Sequence, residues 1–344
     1  MPGTRPIVLD PVTDPRWRRA MSAPDAVVFH HPEWLRALRD EYRHAIWAVA
    51  LEDDAGRVTA GLPVATVNSR LTGNRLVALP FSDVCGPLLG GDPGSLAPLV
   101  EALEAERTRR GLPLEIHADL DGLPSSSHGD GFWHHTLALP ADATGIPNLM
   151  KPVKRRDVRR AVREGVSVER RTDRAAIDAF FALHVRTRRK HGVPTQPRSF
   201  FRRLEPLLHA QLGFVLLAVH DGRPIAAAIY LQFNGVMTLK YNASDERRLK
   251  LRGNQLLYEQ AFQIAVAEGC TRFDFGRTEL DNTGLRTFKE DFGAQPEPLR
   301  YTLAPARAEG RSVRSVSSLQ KTAIRRSPAV VGRVAGAILY RHFA

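Results

Sequence analysis

The sequence has few cysteines and no long apolar run, and each shortage excludes a class of protein. Only Cys85 and Cys270 occur in 344 residues, so a disulfide-stapled fold and a cysteine-based metal or redox motif are both excluded. No apolar run approaches the roughly 20 residues that a membrane-spanning helix needs. The first twenty residues contain no apolar core of a secretory signal. The sequence therefore predicts a reduced, cytoplasmic protein whose two cysteines are buried as small apolar side chains.

Metal ligands at useful spacings are also lacking. His128, His134 and His135 lie close together in the sequence, but no carboxylate or cysteine follows at a spacing typical of a metal site. We therefore predict no metal centre.

Acidic residues are too few to balance the basic ones. The chain has 49 lysines and arginines against 37 acidic residues, a net charge of +12. Such a charge favours anionic partners, namely nucleic acid, phosphorylated substrates or an anionic lipid surface, without choosing among them. Hydrophobic residues make up 43% and charged residues 25%, which is typical of a globular protein. The length is sufficient for two domains.

The C-terminal half shows the strongest local pattern, a series of apolar runs separated by tight-turn dipeptides. Asp221-Gly222 and Asn234-Gly235 separate the apolar runs Phe214–Val219, Ile225–Phe233 and Val236–Tyr241. Such dipeptides between apolar runs predict β-hairpins. The next predicted elements are a polar loop (Asn242–Arg252), a helix capped by Asn254 and ended by Gly269, a strand (Thr271–Phe275) and a helix (Thr283–Phe292). Together they predict an α+β layer.

Two sequence blocks in this half carry a family resemblance. They are FDFGR, from Phe273 to Arg277, and GLRTFKEDFGA, from Gly284 to Ala294. With the order of elements, they resemble the GNAT-fold acyltransferases, and more narrowly the Fem family of non-ribosomal, aminoacyl-tRNA-dependent peptidyl transferases and related Fem-like acetyltransferase domains. A weaker resemblance extends from Phe29 to Tyr301 and implies acyl or aminoacyl transfer to an amine.

The N-terminal half contains a faint copy of the same hairpin pattern. Two apolar strands, Ile46–Leu51 and Val58–Val67, flank an acidic Gly-Arg turn, as Phe214–Val219 and Ile225–Phe233 do. The repeat and the resemblance together predict two tandem GNAT-like halves, each a mixed sheet flanked by helices, around one cleft. The predicted boundaries are 1–145, 146–304 and a basic helical tail at 305–344.

The remaining elements are predicted from capping residues and periodicity. They are an irregular lead-in (1–28), a helix from Pro32 with Trp34, Leu35 and Leu38 on one side, a strand (Leu76–Phe81), a helix (Leu96–Arg110), a strand (Leu114–Ala118), a mobile loop (Asp121–Asp130), a strand (Phe132–Leu139), a linker (Asp142–Pro147) and helices at Pro152–Glu164, Ala175–His191 and Ser199–Leu212. The loop Ser82–Leu88 contains Asp83, which either contacts substrate or belongs to a structural turn.

The helix from Pro152 is strongly basic. Arg155, Arg159 and Arg163 recur every fourth residue and should stack on one side. They form either a phosphate rail for an anionic substrate or a solvated face. Three valines, at 153, 158 and 162, are expected to face the core.

The loop before the helix that starts near Asn254 is the predicted donor site. Lys250, Arg252, Gly253 and Asn254 precede or begin that helix, and helix N-termini bind phosphate. GNAT enzymes hold the coenzyme A pyrophosphate at this position with a Gln/Arg-x-x-Gly-x-Gly/Ala pattern. Only the first glycine is kept here, which favours aminoacyl-tRNA over acyl-coenzyme A.

The predicted chemistry centres on the last helix. Leu285, Phe288 and Phe292 form its apolar stripe, with Lys289 at the edge. The resemblance implies that Phe288 and Lys289 lie at the acyl-transfer site, where the lysine stabilises the tetrahedral intermediate; a surface lysine is the alternative. Asp274 either orients a donor, accepts a proton or pairs with an arginine. Arg277 and Tyr241 are further predicted contacts for the substrate.

The resulting functional prediction is an acyltransferase without a tightly bound cofactor. Aminoacyl-tRNA is the favoured co-substrate and acyl-coenzyme A the alternative. The acceptor is an anionic small molecule, either a cell-wall precursor, a polysaccharide or a secondary metabolite. A non-catalytic module that binds RNA or a protein partner is a second alternative. The tail either packs on the protein or contacts the inner membrane face through residues 311–344.

Overall fold

Two units make up the part of the chain that can be described. The computed structural model describes residues 3–305, 324 and 329–342. Unit 1 contains residues 3–132, 299–305 and 339–342, and unit 2 contains residues 133–298, 324 and 329–338. The predicted tail arginines and lysine at 311, 314, 321, 325 and 326 lie outside the described residues.

The helices and strands follow one another in a mixed α and β order. Up to residue 138 they are β1 (Arg5–Leu9), α1 (Pro15–Ala20), α2 (Pro32–Tyr42), β2 (Ala45–Glu52), β3 (Val58–Val67), β4 (Arg75–Ala78), α3 (Leu96–Arg110), β5 (Leu114–Ile116) and β6 (Ser127–Ala138). The rest are α4 (Ile146–Leu149), α5 (Pro152–Arg163), β7 (Ser167–Arg171), α6 (Arg174–His191), α7 (Arg198–Arg202), α8 (Glu205–His209), β8 (Gly213–His220), β9 (Arg223–Phe233), β10 (Val236–Ser244), α9 (Gly253–Ala267), β11 (Arg272–Glu279), α10 (Thr283–Glu290), β12 (Gln295–Ala304) and α11 (Ala329–Leu339).

The two units repeat one sheet topology. In unit 1, β1 to β4 pair antiparallel in sequence order, and β5 then pairs parallel to β4 after the crossing helix α3. In unit 2, β7 to β10 pair antiparallel, and β11 pairs parallel to β10 after the crossing helix α9. Each unit adds one more strand beside the parallel one, β12 beside β5 and β6 beside β11. The repeat predicted from the hairpin patterns is therefore confirmed.

Positive backbone dihedral angles explain the two tight hairpins of unit 2. Asp221 and Gly222 have φ values of 51° and 66°, and Asn234 and Gly235 have 45° and 70°. Two consecutive positive φ angles define the type I′ turn, whose twist matches that of the flanking strands. These residue types tolerate that conformation, so the hairpins form where the sequence predicts them.

Helices cover both faces of the unit 2 sheet. Phe273 and Phe275 of β11 lie in a core with side chains of α9, including Tyr258 and Phe262. On the opposite face, α6 packs against β8, β9 and β10. Most of the functional groups discussed below are held by β6, β10, β11, α5, α9 and α10.

Several predicted boundaries are wrong, mainly at strands that lack an apolar pattern. The lead-in contains β1 and α1, β6 begins inside the predicted loop at Ser127, and neither β7 nor β12 was predicted. The sequence of β7, SVERR, is mostly exposed, as suits a charged edge strand. The predicted helix Ser199–Leu212 is two short helices, and Pro197 rather than Ser199 is the N-cap of α7.

No helix among the described residues is long and apolar enough to span a membrane.

Candidate active site

The strands β10 and β11 separate partway along their length. Their pairing covers Val236–Thr238 with Arg272–Asp274, although β10 continues to Ser244 and β11 to Glu279. A bulge between Leu239 and Tyr241 shifts the register of β10 against β9 just beyond this point. Separated parallel strands leave backbone groups that an extended ligand can bind. The predicted residues Tyr241, Asp274 and Arg277 all lie on these two strands.

The predicted donor loop lines a pocket of about 230 Å³. Its walls include the start of α9 and one face of α10; the residues used below are Arg248, Arg252, Gly253, Asn254 and Phe288. Helix α9 begins at Gly253, after Arg252 in the left-handed region (φ 60°), and no side chain caps it. Uncapped N–H groups and the helix dipole favour an anion at this end.

Glycine at position 253 allows close contact between helix and sheet. A Cβ atom there would lie 3.1 Å from Ile225 Cδ1, 3.2 Å from Ala218 Cβ and 3.3 Å from Ala226 Cβ. These distances are tighter than ordinary contacts, so a Cβ atom here would require the start of α9 or its neighbours on β8 and β9 to shift by a few tenths of an ångström. The single glycine kept from the GNAT pattern thus has a structural reason.

Asn254 is not the helix cap that the sequence predicted. Arg252 is the N-cap, and Asn254 is the second residue of α9. Its Oδ1 atom is buried without a hydrogen-bond partner among the described residues, and the side chain lines the pocket. A buried polar atom without a partner is costly, and a ligand could supply the missing hydrogen bond.

Three of the four predicted donor residues lie together. Arg252 Nε is 3.3 Å from Asp157 Oδ1, which ties the pocket to the basic helix α5. Lys250, by contrast, is exposed in the 3-10 helix Glu246–Leu251 and does not line the pocket.

Phe288 faces the pocket from α10 and packs in an aromatic group. Its ring centroid lies 5.4 Å from that of Tyr258 and 5.2 Å from that of Phe292. Lys154 places its ammonium 4.5 Å from the Phe288 centroid and 3.4 Å from Asp291 Oδ2. This cation–π and ion-pair arrangement was not predicted from the sequence.

The inward face of α5 differs from the prediction. Val153 and Val162 are 38% and 58% exposed, while Lys154 and Ala161 are buried. Val158 alone of the three valines packs partly against the core. Lys154 points inward because Asp291 and the aromatic rings stabilise its charge there.

The three predicted rail arginines lie on the outer side of α5. Arg159 and Arg163 are exposed, and Arg155 is half-buried and donates to the carbonyl oxygen of Pro147 at 3.0 Å. Two of the three arginines, Arg159 and Arg163, are thus exposed, and their role in binding an anion stays a prediction.

Lys289 is buried, so the alternative of a surface lysine is wrong. Only 3% of the residue is exposed. Its Nζ donates to the carbonyl oxygens of Gly276 and Arg277, both at 3.0 Å. These carbonyls belong to a bend in β11 where Gly276 has a φ of 69°. The ammonium thus joins α10 to the separated part of β11.

Asp274 pairs with a histidine that the sequence prediction missed. Its Oδ1 accepts from His134 Nε2 at 2.9 Å and from the Gly276 backbone N–H at 2.7 Å. The adjacent His135 is buried, and its pKa is lowered to about 4 by burial and by the charge of Lys289. The alternation of side chains along the predicted strand Phe132–Leu139 could have indicated this role for a histidine, because it places His134 and His135 on opposite faces of the strand.

The surroundings of Tyr241 and Asp83 differ from those of the other predicted site residues. Tyr241 packs against Phe180, His184 and Phe201, and its hydroxyl accepts from Gln196 Nε2 at 3.3 Å. Asp83 lies in unit 1, where its backbone carbonyl accepts from the Tyr301 hydroxyl at 2.7 Å. Their predicted substrate contacts stay predictions.

Sequence comparison with known proteins gives a family model and a curated relative. A family model described as an acetyltransferase (GNAT) domain matches residues 152–290. The UDP-N-acetylmuramoylpentapeptide-lysine N(6)-alanyltransferase of Weissella viridescens is 22% identical over 158 residues, which are 44% of this chain and 45% of that protein. The match therefore spans less than half of the relative's length.

Solved structures extend the similarity to most of the chain. The crystal structure of FemX matches with a TM-score of 0.67 and 13% identity, covering 87% of this chain and 96% of FemX. A tandem GNAT protein from the clavulanic acid biosynthesis pathway matches with a TM-score of 0.54 and 14% identity, covering 88% of this chain and 98% of its own. The predicted tandem GNAT fold and the predicted Fem-like resemblance are confirmed.

Proposed function

We propose that this chain, which has the GNAT fold, is a Fem-like acyltransferase that transfers an aminoacyl group from aminoacyl-tRNA to an amine of an anionic acceptor. The observation that carries the proposal is the pocket shared by the start of α9 and Phe288. It joins an anion-binding helix end to the aromatic residue of the predicted acyl-transfer site. The donor is a co-substrate, used up and released in each turnover.

The donor assignment is supported by the chemistry of the pocket walls. Arg248 and Arg252 supply positive charge beside the uncapped start of α9. Gln255 occupies the second glycine position of the pattern that cradles a pyrophosphate. The arginines suit a ribose–phosphate chain, whose charges are spread along its length, while the loss of this glycine disfavours the compact pyrophosphate of coenzyme A.

The reaction needs a base, an oxyanion partner and an orienting group. The acceptor amine attacks the ester carbonyl of the donor, a tetrahedral oxyanion forms, and the ribose hydroxyl of the tRNA leaves. In our proposal, His134 takes the proton of the attacking amine and passes it to the departing ribose oxygen, and Asp274, bonded to His134 at 2.9 Å, orients the imidazole. The Lys289 ammonium stabilises the oxyanion.

The acceptor is proposed from the curated relative and from the basic surface. The relative's name states transfer of alanine to the lysine of a UDP-linked muramoylpentapeptide, an anionic cell-wall precursor. The exposed Arg159 and Arg163 on α5 are suited to the phosphates of such a molecule. Because α5 is tied to the donor pocket through Asp157 and Arg252, an acceptor on this helix would lie beside the donor.

The decisive experiment compares the two donors in one assay. Total tRNA charged with labelled amino acids and labelled acetyl-coenzyme A are each incubated with the full chain and UDP-N-acetylmuramoylpentapeptide, and label in the acceptor is measured. We expect transfer from tRNA alone, and tRNA binding that weakens steeply between 50 and 200 mM salt. Arg252→Gln should weaken tRNA binding.

Acetyl-coenzyme A is the second candidate donor, because a tandem GNAT protein shares the fold and the family model is that of acetyltransferases. Acetyl transfer without tRNA binding would overturn the tRNA proposal in favour of this one. Binding of tRNA without transfer from either donor to an acceptor panel would instead favour the RNA-binding alternative.

A further inference from the structure

The last helix, α11, has two different apolar sides. Gly332 and Gly336 are buried on one side. There the Gly332 carbonyl accepts from the Thr195 backbone N–H at 3.1 Å, and a Cβ atom at Gly336 would collide with the Thr195 carbonyl. The glycines therefore bring this helix into backbone contact with the loop after α6, which confirms that the described end of the tail packs on the protein.

The other side of α11 exposes apolar residues in a stripe. Val331, Val334 and Ile338 are 48%, 54% and 55% exposed. The spacings i, i+3 and i+7 place all three side chains on one helix face. Scattered exposed valines are ordinary on a protein surface, but three neighbours on one helix face form a patch. A helix already anchored by its glycines holds this patch facing outwards.

The surrounding sequence carries most of the excess positive charge of the protein. Residues 305–344 contain eight lysines and arginines and one acidic residue, so +7 of the net charge of +12 lies in these 40 residues. Arg333 and Arg341, the two within the described part, are exposed. An apolar stripe flanked by basic residues matches an anionic lipid surface, where the valines and isoleucine enter the interface and the basic groups contact headgroups.

We propose that α11 docks the protein on an anionic membrane surface through Val331, Val334 and Ile338. The inference does not rest on the transferase proposal, since it uses no residue of the donor pocket or of the base and oxyanion groups. Vesicle binding can therefore fail while transfer succeeds, and the reverse.

The test measures co-sedimentation of the full chain with vesicles of phosphatidylcholine containing 30% phosphatidylglycerol. We expect the partition coefficient to exceed that for pure phosphatidylcholine by at least about tenfold. The triple variant Val331→Ser, Val334→Ser, Ile338→Ser should lose most of this binding at low salt. The matched control is Val8→Ser with Val162→Ser, which removes two exposed valines (46% and 58%) outside the tail and should bind as the parent does.

Three results would overturn the proposal. The first is failure of the parent to bind the anionic vesicles. The second is binding of the serine variant equal to that of the parent, which would make the attraction electrostatic only. The third is a self-association, measured by sedimentation equilibrium, that the serine variant abolishes while vesicle binding is unchanged, which would assign the stripe to a second copy of the chain.

Discussion

At the scale of single residues, Lys289 is the side chain whose surroundings most constrain its role. Its buried ammonium is held by two backbone carbonyls of β11, and its charge lowers the pKa of His135. A charge kept in such a place is costly unless it is bonded. The Lys289 ammonium could serve only to link α10 to β11, or it could also stabilise the oxyanion of the reaction. A test must therefore measure the stability of the fold and the rate of turnover separately.

We predict that Lys289→Met lowers single-turnover transfer by roughly 100- to 1000-fold, as expected for one lost oxyanion donor. It should also destabilise the fold by about 1–3 kcal/mol, because the Gly276 and Arg277 carbonyls lose their donor. Donor and acceptor binding should persist. Rates at saturating donor and urea unfolding curves are the measurements.

Lys289→Arg is the control for that prediction. Arginine keeps the charge and donors for the two carbonyls, so it should recover stability but little activity, since a planar fork cannot replace a compact ammonium. If Lys289→Arg recovered stability and activity together, the role of Lys289 would be structural only. A stable Met variant with turnover within a few-fold of the parent would remove it from the mechanism.

At the scale of elements, helix α5 has two unlike basic faces. Its inner face carries Lys154, bonded to Asp291 and covered by aromatic rings. Its outer face carries Arg159 and Arg163 in solvent. The first face joins α5 to α10, and the second is available to an anion, so changes on the two faces should have different consequences.

Lys154→Met should destabilise the α5–α10 contact by about 1–3 kcal/mol, because a partly buried ion pair and a cation–π contact are lost. Lys151→Met is the matched control, since Lys151 binds the same carboxylate at 2.9 Å but its side chain is 60% exposed. It should hardly change the unfolding midpoint. Equal effects of the two substitutions would contradict the importance of the inner face.

Replacement of Arg155, Arg159 and Arg163 by Gln should raise KM for an anionic acceptor and flatten its salt dependence, with little change in stability. The matched control is the triple variant Arg18→Gln, Arg19→Gln, Arg70→Gln. It removes the same charge from exposed positions elsewhere and should leave KM unchanged. Steady-state kinetics at several salt concentrations measure both. If the two triple variants behave alike, net charge rather than the α5 face explains the effect.

At the scale of the whole molecule, both units bury neutral histidines. Burial lowers the pKa of His30 and His44 in unit 1 to about 4, and burial with the nearby Lys289 charge does so for His135 in unit 2. Burial also holds the pKa of His184 well below its usual value. His30 shows the structural reason: its Nδ1 accepts from the Val27 N–H, and its Nε2 donates to the Gly86 carbonyl. A proton on Nδ1 would break the first bond.

The free energy of unfolding should therefore be highest above about pH 6.5 and fall as the pH drops towards 4. In that window the unfolded chain binds protons at these histidines and the folded chain does not. Urea unfolding at pH 7, 5.5 and 4.5 measures the effect. His30→Gln should show a shallower decline than the parent; a parallel decline would mean that His30 does not contribute.

The sequence alone determined the features that depend on neighbouring residues. Asp221-Gly222 and Asn234-Gly235 specify their turns through local backbone preferences, and the apolar runs beside them specify the strands. The blocks FDFGR and GLRTFKEDFGA indicated the GNAT fold, which the comparisons confirm. The stacking of Arg155, Arg159 and Arg163 on one side of α5 likewise follows from their four-residue spacing and from helix geometry alone.

Only the tertiary structure decided which side chains meet across distant segments. Lys154 faces inward because Asp291 lies opposite, 137 residues along the chain, and no local periodicity reports such a partner. The same holds for His134 with Asp274 and for the carbonyls that bind Lys289. Edge strands such as β7 were missed because their pairing comes from a neighbouring strand rather than from their own apolar pattern. Local propensity acts within a few residues, whereas burial and charge pairing act between whichever surfaces the fold brings together.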